Sequence, residues 1–172
     1  MINKQKIKSA VLDILEALGE NPNREGLKKT PNRVANMCEE IFGGLNKIPD
    51  NIITTFKDDT YRNNTVIEIE NIPVNSICEH HLLPFVGTAT IKYIPKNGAI
   101  LGLSKFSRIV NYFSSKPQMQ ERLTSEIAEF LFSKLEPKGV KVTLECEHLC
   151  MTMRGVKSRG AVTKTEVTIG DI

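Results

Sequence analysis

A chain of 172 residues is long enough for one substantial domain with a small appendage and too short for two large ones. Its 40% hydrophobic and 25% charged residues make a globular composition, and no apolar run approaches the roughly 20 residues that cross a bilayer. The net charge of +3 comes from bases and acids that alternate along most of the chain, which argues against a nucleic-acid footprint.

The first twenty residues interleave charge with apolar side chains, unlike the continuous apolar core of a secretion signal, so a cytoplasmic protein is expected. In that reducing setting Cys38, Cys78, Cys146 and Cys150 are expected to be buried or metal-binding thiols rather than disulfides. Ile7, Val11, Ile14, Leu15 and Leu18 recur at helical spacing, and Gly19 follows as a stop. A second helix is predicted from Thr30 as cap, with Pro31 at the first helical position, a stripe of Val34, Met37 and Ile41, and Gly43 and Gly44 at its end. Residues 46–64 are polar and irregular. They divide the chain into a helical arm with linker (1–62) and a main body (63–172).

The body reads as strand, strand, helix, helix, strand, strand, an α+β pattern. Alternation over Thr65–Glu70 and the β-branched, aromatic run "VGTATIKYIP" give the first two strands. "SKFSRIVNYF" puts Phe106, Ile109, Val110 and Phe113 on one helical face with Ser104 as cap. Beyond Pro117, Met119, Leu123, Ile127, Phe130 and Leu131 stripe a longer helix. "VKVTLECEHLCM" and "AVTKTEVTI" alternate as the last two strands.

Two of the three histidines and one of the four cysteines fall within Cys78-Glu79-His80-His81. Residues two apart on a strand share a face, so His148 and Cys150 are expected to project together toward Cys78 and His81 in the turn after the first strand. Thiolate plus imidazole on two segments is what zinc prefers. With His80 there are five candidate ligands. A three-ligand site with an open position would be catalytic, and a closed four-ligand site would be structural. Cys146 shares the face of Val142 and Leu144 and is read as core. Ser104, Lys105 and Arg108 at a helix start, with Arg154 after Cys150, suit phosphate, whereas Lys157 and Arg159 are read as solvated. Gln120 and Glu121 open the longer helix, where the acid serves either the helix dipole or a guanidine-like edge of a ligand.

Five motifs in register, "NREGLKKTPNRVANM", "CEHHLLPFVGTATIKYIP", "GLSKFSRIV", "QMQERLTSEIA" and "HLCMTMRGV", closely resemble the bacterial-type GTP cyclohydrolase I family, from about residue 9 to the last strand. The resemblance implies a T-fold: a four-stranded antiparallel sheet with two helices between its second and third strands, behind an N-terminal helical arm. It implies toroidal assemblies, typically decamers, with active sites at subunit interfaces, and no nucleic-acid or membrane partner. It implies Zn2+ held by Cys78, His81 and Cys150, with His80 and His148 moving protons. Gln120 and Glu121 would then anchor the guanine of GTP, and Ser104, Lys105, Arg108 and Arg154 would face its ribose and triphosphate. The implied reaction attacks guanine C8, releases formate and forms 7,8-dihydroneopterin triphosphate. The chain departs from the family pattern at Cys146 and in a last strand that carries Ala161, Val162, Lys164 and Glu166.

Overall fold

The computed structural model describes residues 2–49, 51–58, 65–96 and 98–172. Helix α1 (Lys4–Ala17) starts where Asn3 Oδ1 accepts the Lys6 N–H, satisfying one of the donors that a first turn leaves unpaired. Helix α2 (Thr30–Ile41) packs along it. Thr30 does not cap α2. Lys29 occupies the cap position without a side-chain bond, and Pro31 is the second helical residue, where its missing N–H costs nothing. A single 3-10 turn, Gly43–Leu45, follows.

The stretch expected to be irregular is partly built into the body. Ile52 is buried in the core, and β1 (Thr55–Lys57) pairs antiparallel with β4 (Ala99–Leu101). Strands of three residues are too short to leave an alternating pattern in sequence. The expected boundary at 62/63 lies outside the described residues.

The main sheet has the order β5-β2-β3-β6-β7. Four long strands, β2 (Ile67–Cys78), β3 (Pro84–Ile94), β6 (Gly139–His148) and β7 (Val162–Gly170), run antiparallel to their neighbours. The two-residue β5 (Pro117–Gln118) adds a fifth, parallel to the end of β2. A bulge at Asn71, whose φ is +56°, shifts the β2 register between Ile69 and Ile72. One extra residue reverses the two-residue alternation, so the inward set changes from Ile67 and Ile69 to Ile72, Val74, Ser76 and Cys78. The bulge thus turns Cys78 to the helix-covered face.

Helices α3 (Leu103–Ser114) and α4 (Gln120–Leu135) cover that face. Phe106, Ile109 and Val110 of α3 and Leu123, Ile127 and Leu131 of α4 are fully buried, together with Phe85, Ile91, Val142 and Leu144 of the sheet. Each fully buried side chain of this size contributes about 1.5–3 kcal/mol. Gly102, not Ser104, occupies the α3 cap position. Cys146 is in the core as expected, and burial pushes its thiol up to about 12. The opposite face carries cross-strand ion pairs, Glu68 with Lys92, Glu145 with Lys164 and Lys141 with Glu166. The departures at 164 and 166 therefore lie on the face away from the core, while Thr163 and Thr165 point inward toward α4.

Candidate metal centre and active site

Cys78 ends β2, and a tight turn carries Glu79, His80 and His81 before β3 begins at Pro84. The turn closes when Leu82 N–H donates to Cys78 O at 2.9 Å and Cys78 N–H donates to Leu83 O at 2.8 Å. Leu82 adopts a left-handed φ of +52° to do so, an uncommon conformation for a residue with a branched side chain. From outside, Glu79 N–H donates to Gln118 O at 3.0 Å, and Arg122 grips the Glu79 carboxylate with both Nη atoms at 2.6 and 3.0 Å. That hydrogen-bonded guanidinium holds the Glu79 carboxyl below its ordinary value.

His148 and Cys150 line one cavity, but not as two residues of one strand. Strand β6 stops at His148, and the chain enters a one-turn helix, α5 (Leu149–Thr152), which swings Cys150 toward Cys78 and His81. The Cys78, His81 and Cys150 ligand atoms lie within 4.8 Å of one another. A tetrahedral zinc with Zn–S of about 2.3 Å and Zn–N of about 2.0 Å separates its ligands by roughly 3.3–3.8 Å, so side-chain adjustments of about 1 Å or less suffice. In the chain by itself, burial and the neighbouring Cys78 raise the Cys150 thiol; a bound cation reverses that preference. The donor set fits zinc.

His80 stands beside this centre, its Nδ1 3.6 Å from Cys78 Sγ. His148 lines the same cavity. Its ring stacks on Phe85 at 4.7 Å between centroids and 9° between planes, and its Nε2 is 2.8 Å from Gln120 Oε1. Burial lowers the His148 pKa, opposed by the negative charge of Glu121. A cavity of about 400 Å³ opens between these groups, lined by Cys78, His80, Gln120, Glu121, His148 and Cys150 among others. Arg154 Nη1 reaches to 3.4 Å from His81 Nε2.

The three residues expected at the start of α3 lie elsewhere in this chain. Ser76 Oγ donates to Ser114 O, which places the C-terminal end of α3 near Cys78. Ser104, ten residues earlier, is therefore about 15 Å away along the helix axis. Lys105 Nζ donates to Asn51 O at 2.8 Å, and Arg108 lines a separate cavity of about 260 Å³ with Asn51 and Tyr112. Lys157 and Arg159 are exposed, as expected. Phe85, Arg122 and Glu79 were not singled out in the sequence, since an aromatic in a strand and a charged pair 43 positions apart carry no local signal.

Residues 7–172 match the sequence profile of the GTP cyclohydrolase I family. The chain belongs to that family. It is 54% identical over 170 residues to GTP cyclohydrolase 1 of Thermoanaerobacter pseudethanolicus, covering 99% of this chain and 89% of the relative. Identity is 50% over 172 residues to GTP cyclohydrolase 1 of Acetivibrio thermocellus, 100% of this chain and 91% of the relative. It is 48% over 170 residues to that of Clostridioides difficile, 98% and 88% respectively. Membership of the GTP cyclohydrolase I family makes the chain an enzyme of the hydrolase class. A crystal structure titled as the archaeosine synthase QueF-Like in the apo form superposes with a TM-score of 0.53 at 18% identity, covering 64% of this chain and 99% of that one, a likeness of fold. Among the described residues no helix is long and apolar enough to cross a membrane.

Proposed function

We propose that this chain is a zinc-dependent GTP cyclohydrolase I that hydrolyses GTP at guanine C8, releasing formate and forming 7,8-dihydroneopterin triphosphate, the first step of pterin and tetrahydrofolate synthesis. The observation that carries the reading is the convergence of Cys78, His81 and Cys150 beside a cavity that two further imidazoles, His80 and His148, also line. Zinc bound by those three residues would supply hydroxide at neutral pH and polarise the carbon under attack.

The chain's own groups do the rest. The exposed Glu121 carboxylate accepts hydrogen bonds from the N1–H and amino group of guanine, which sets the base in the cavity. His80 and His148 both face the cavity and move protons as C8–N9 and then C8–N7 break. Two waters enter at C8 and one leaves when the rearranged ribose closes the new ring. Arg154 beside His81, with Ser104, Lys105 and Arg108, binds the ribose and triphosphate and so holds the reacting carbon in place. Because Ser104, Lys105 and Arg108 lie away from the cavity of their own chain, they serve the cavity of a neighbouring copy. This supports a toroidal homodecamer with interfacial sites, built from a T-fold body (63–172) and a helical arm (1–62), working in the cytoplasm.

The test is production of formate and dihydroneopterin triphosphate from GTP, before and after chelation and zinc restoration. Zinc-dependent appearance of both supports the proposal; GTP binding with zinc present and neither product overturns it. A His80→Ala chain should keep zinc and lose activity.

A further inference from the structure

Gln120 was expected to hold the guanine base beside Glu121, yet its side chain is committed inside the protein. It is 1% exposed. The two hydrogens of Nε2 are shared among Leu144 O at 3.1 Å, Thr163 O at 2.9 Å and Thr165 Oγ1 at 3.0 Å. Two of these partners are backbone carbonyls, which only accept, so the atom facing them is the NH2 and the amide admits a single orientation. The hydroxyls agree. Thr124 Oγ1 donates its one hydrogen to Gln120 O, so in the 2.6 Å contact Thr165 is the donor, leaving Thr165 Oγ1 to accept from Gln120.

With NH2 turned to the carbonyls, Oε1 faces His148 Nε2 at 2.8 Å, and an oxygen that only accepts requires Nε2 to carry a hydrogen. Stacking on Phe85 fixes the plane of the imidazole but not which way round the ring sits, because a flip about its bond to Cβ leaves the stack unchanged. Gln120 supplies the missing choice. Nδ1 has no hydrogen-bond partner among the described residues, and His148 lines the cavity.

We infer that Gln120 is a positioning residue: it holds His148 as the Nε2–H tautomer and so makes Nδ1 the nitrogen that exchanges protons with the substrate. Recognition of the base then falls to Glu121. The identity of that substrate rests on the proposed GTP hydrolysis; the tautomer does not.

The experiment is 1H–15N correlation of the imidazoles in zinc-loaded protein labelled in its three histidines, at a fixed pH where they are neutral, with His148 assigned by loss of its signals in His148→Gln. A protonated Nε2 and bare Nδ1 are expected in the wild type, and a mixture of tautomers in Gln120→Met. Removing such a supporting partner should lower kcat about 10- to 100-fold with KM for GTP unchanged. A wild-type Nδ1–H signal overturns the inference, with or without a foldable variant. So does a pure Nε2–H tautomer in folded, zinc-loaded Gln120→Met, or a raised KM with kcat intact, which would make Gln120 a base anchor. The expected tautomer in a chain that releases no formate from GTP would uphold the placement and overturn the proposed function.

Discussion

Gly87 faces Cys146 in the β3–β6 ladder, two residue pairs from Phe85 and His148. A Cβ at this position would stand 2.7 Å from Cys146 Cα and 2.8 Å from the Glu145 carbonyl carbon, with the Glu145 oxygen nearer still. Ordinary contact begins at 3.4 Å and the Glu145 oxygen stands at 1.9 Å, so Gly87→Ala must push β6 away from β3 by about 1.5 Å where they meet, and every obstructing atom is backbone. Overpacking of this kind costs about 1–3 kcal/mol. At about 2–4 °C per kcal/mol for a chain of this length, the melting temperature should fall by about 2–12 °C. Half of that displacement carried to the end of β6 stretches the 2.8 Å His148–Gln120 bond to about 3.5 Å, where a hydrogen bond is largely lost. Activity should therefore fall by about tenfold or more while zinc remains bound. Thermal melts, zinc content and steady-state formate release measure the three quantities. Gly43→Ala, whose Cβ meets nothing within 4 Å, is the control and should change none of them. Wild-type melting and wild-type turnover in Gly87→Ala would refute the reasoning that β6 is held at this spacing to aim His148.

Arg122→Gln should release zinc to a chelator about 10- to 100-fold faster, measured with a chromogenic acceptor, because the turn carrying Cys78 and His81 loses its clamp on Glu79. The Glu79 pKa is depressed in the folded state, so the pair's contribution is full above the ordinary value of 4.5 and fades as pH falls through the folded value. The difference in urea midpoint between wild type and Glu79→Gln should accordingly hold steady from about pH 8 to about pH 5 and shrink below that. Cys150→Ser should lose zinc and activity together, by metal analysis and formate assay, since it removes one of three converging donors. Arg108→Ala and His148→Ala chains, each inactive alone, should regain about a quarter of wild-type activity when co-assembled in equal amounts, because that share of composite sites draws both halves from intact copies. No recovery would place both residues in a site made by one chain.

Much of the fold was legible because its signals are local. Phe106, Ile109 and Val110 face the core of α3, and Leu123, Ile127 and Leu131 that of α4, as their 3.6-residue spacing predicts. The alternation of Val140, Val142, Leu144 and Cys146 likewise puts all four inside. Expectations failed where a single residue changes geometry without changing composition. Ser104 and Thr30 suited caps, but the caps are Gly102 and Lys29, one or two positions earlier. The bulge at Asn71 is invisible in a sequence whose Ile69, Ile72 and Val74 are all apolar, yet it reverses the faces of β2. His148 and Cys150 satisfied the two-residue rule for a strand, and the strand ended between them.

The sequence by itself determined the order of the four long helices and four long strands, the thiol and imidazole set, and the family, because those depend on periodicity, residue chemistry and wording along the chain. Which three of the five candidate ligands meet depended on the bulge in β2, the turn at Leu82 and the single turn of α5, each a backbone event set by packing between distant segments. The role of Gln120 was decided in the same way. Its amide is oriented by carbonyls 24 and 43 residues away, and only the folded sheet brings those oxygens to the start of α4.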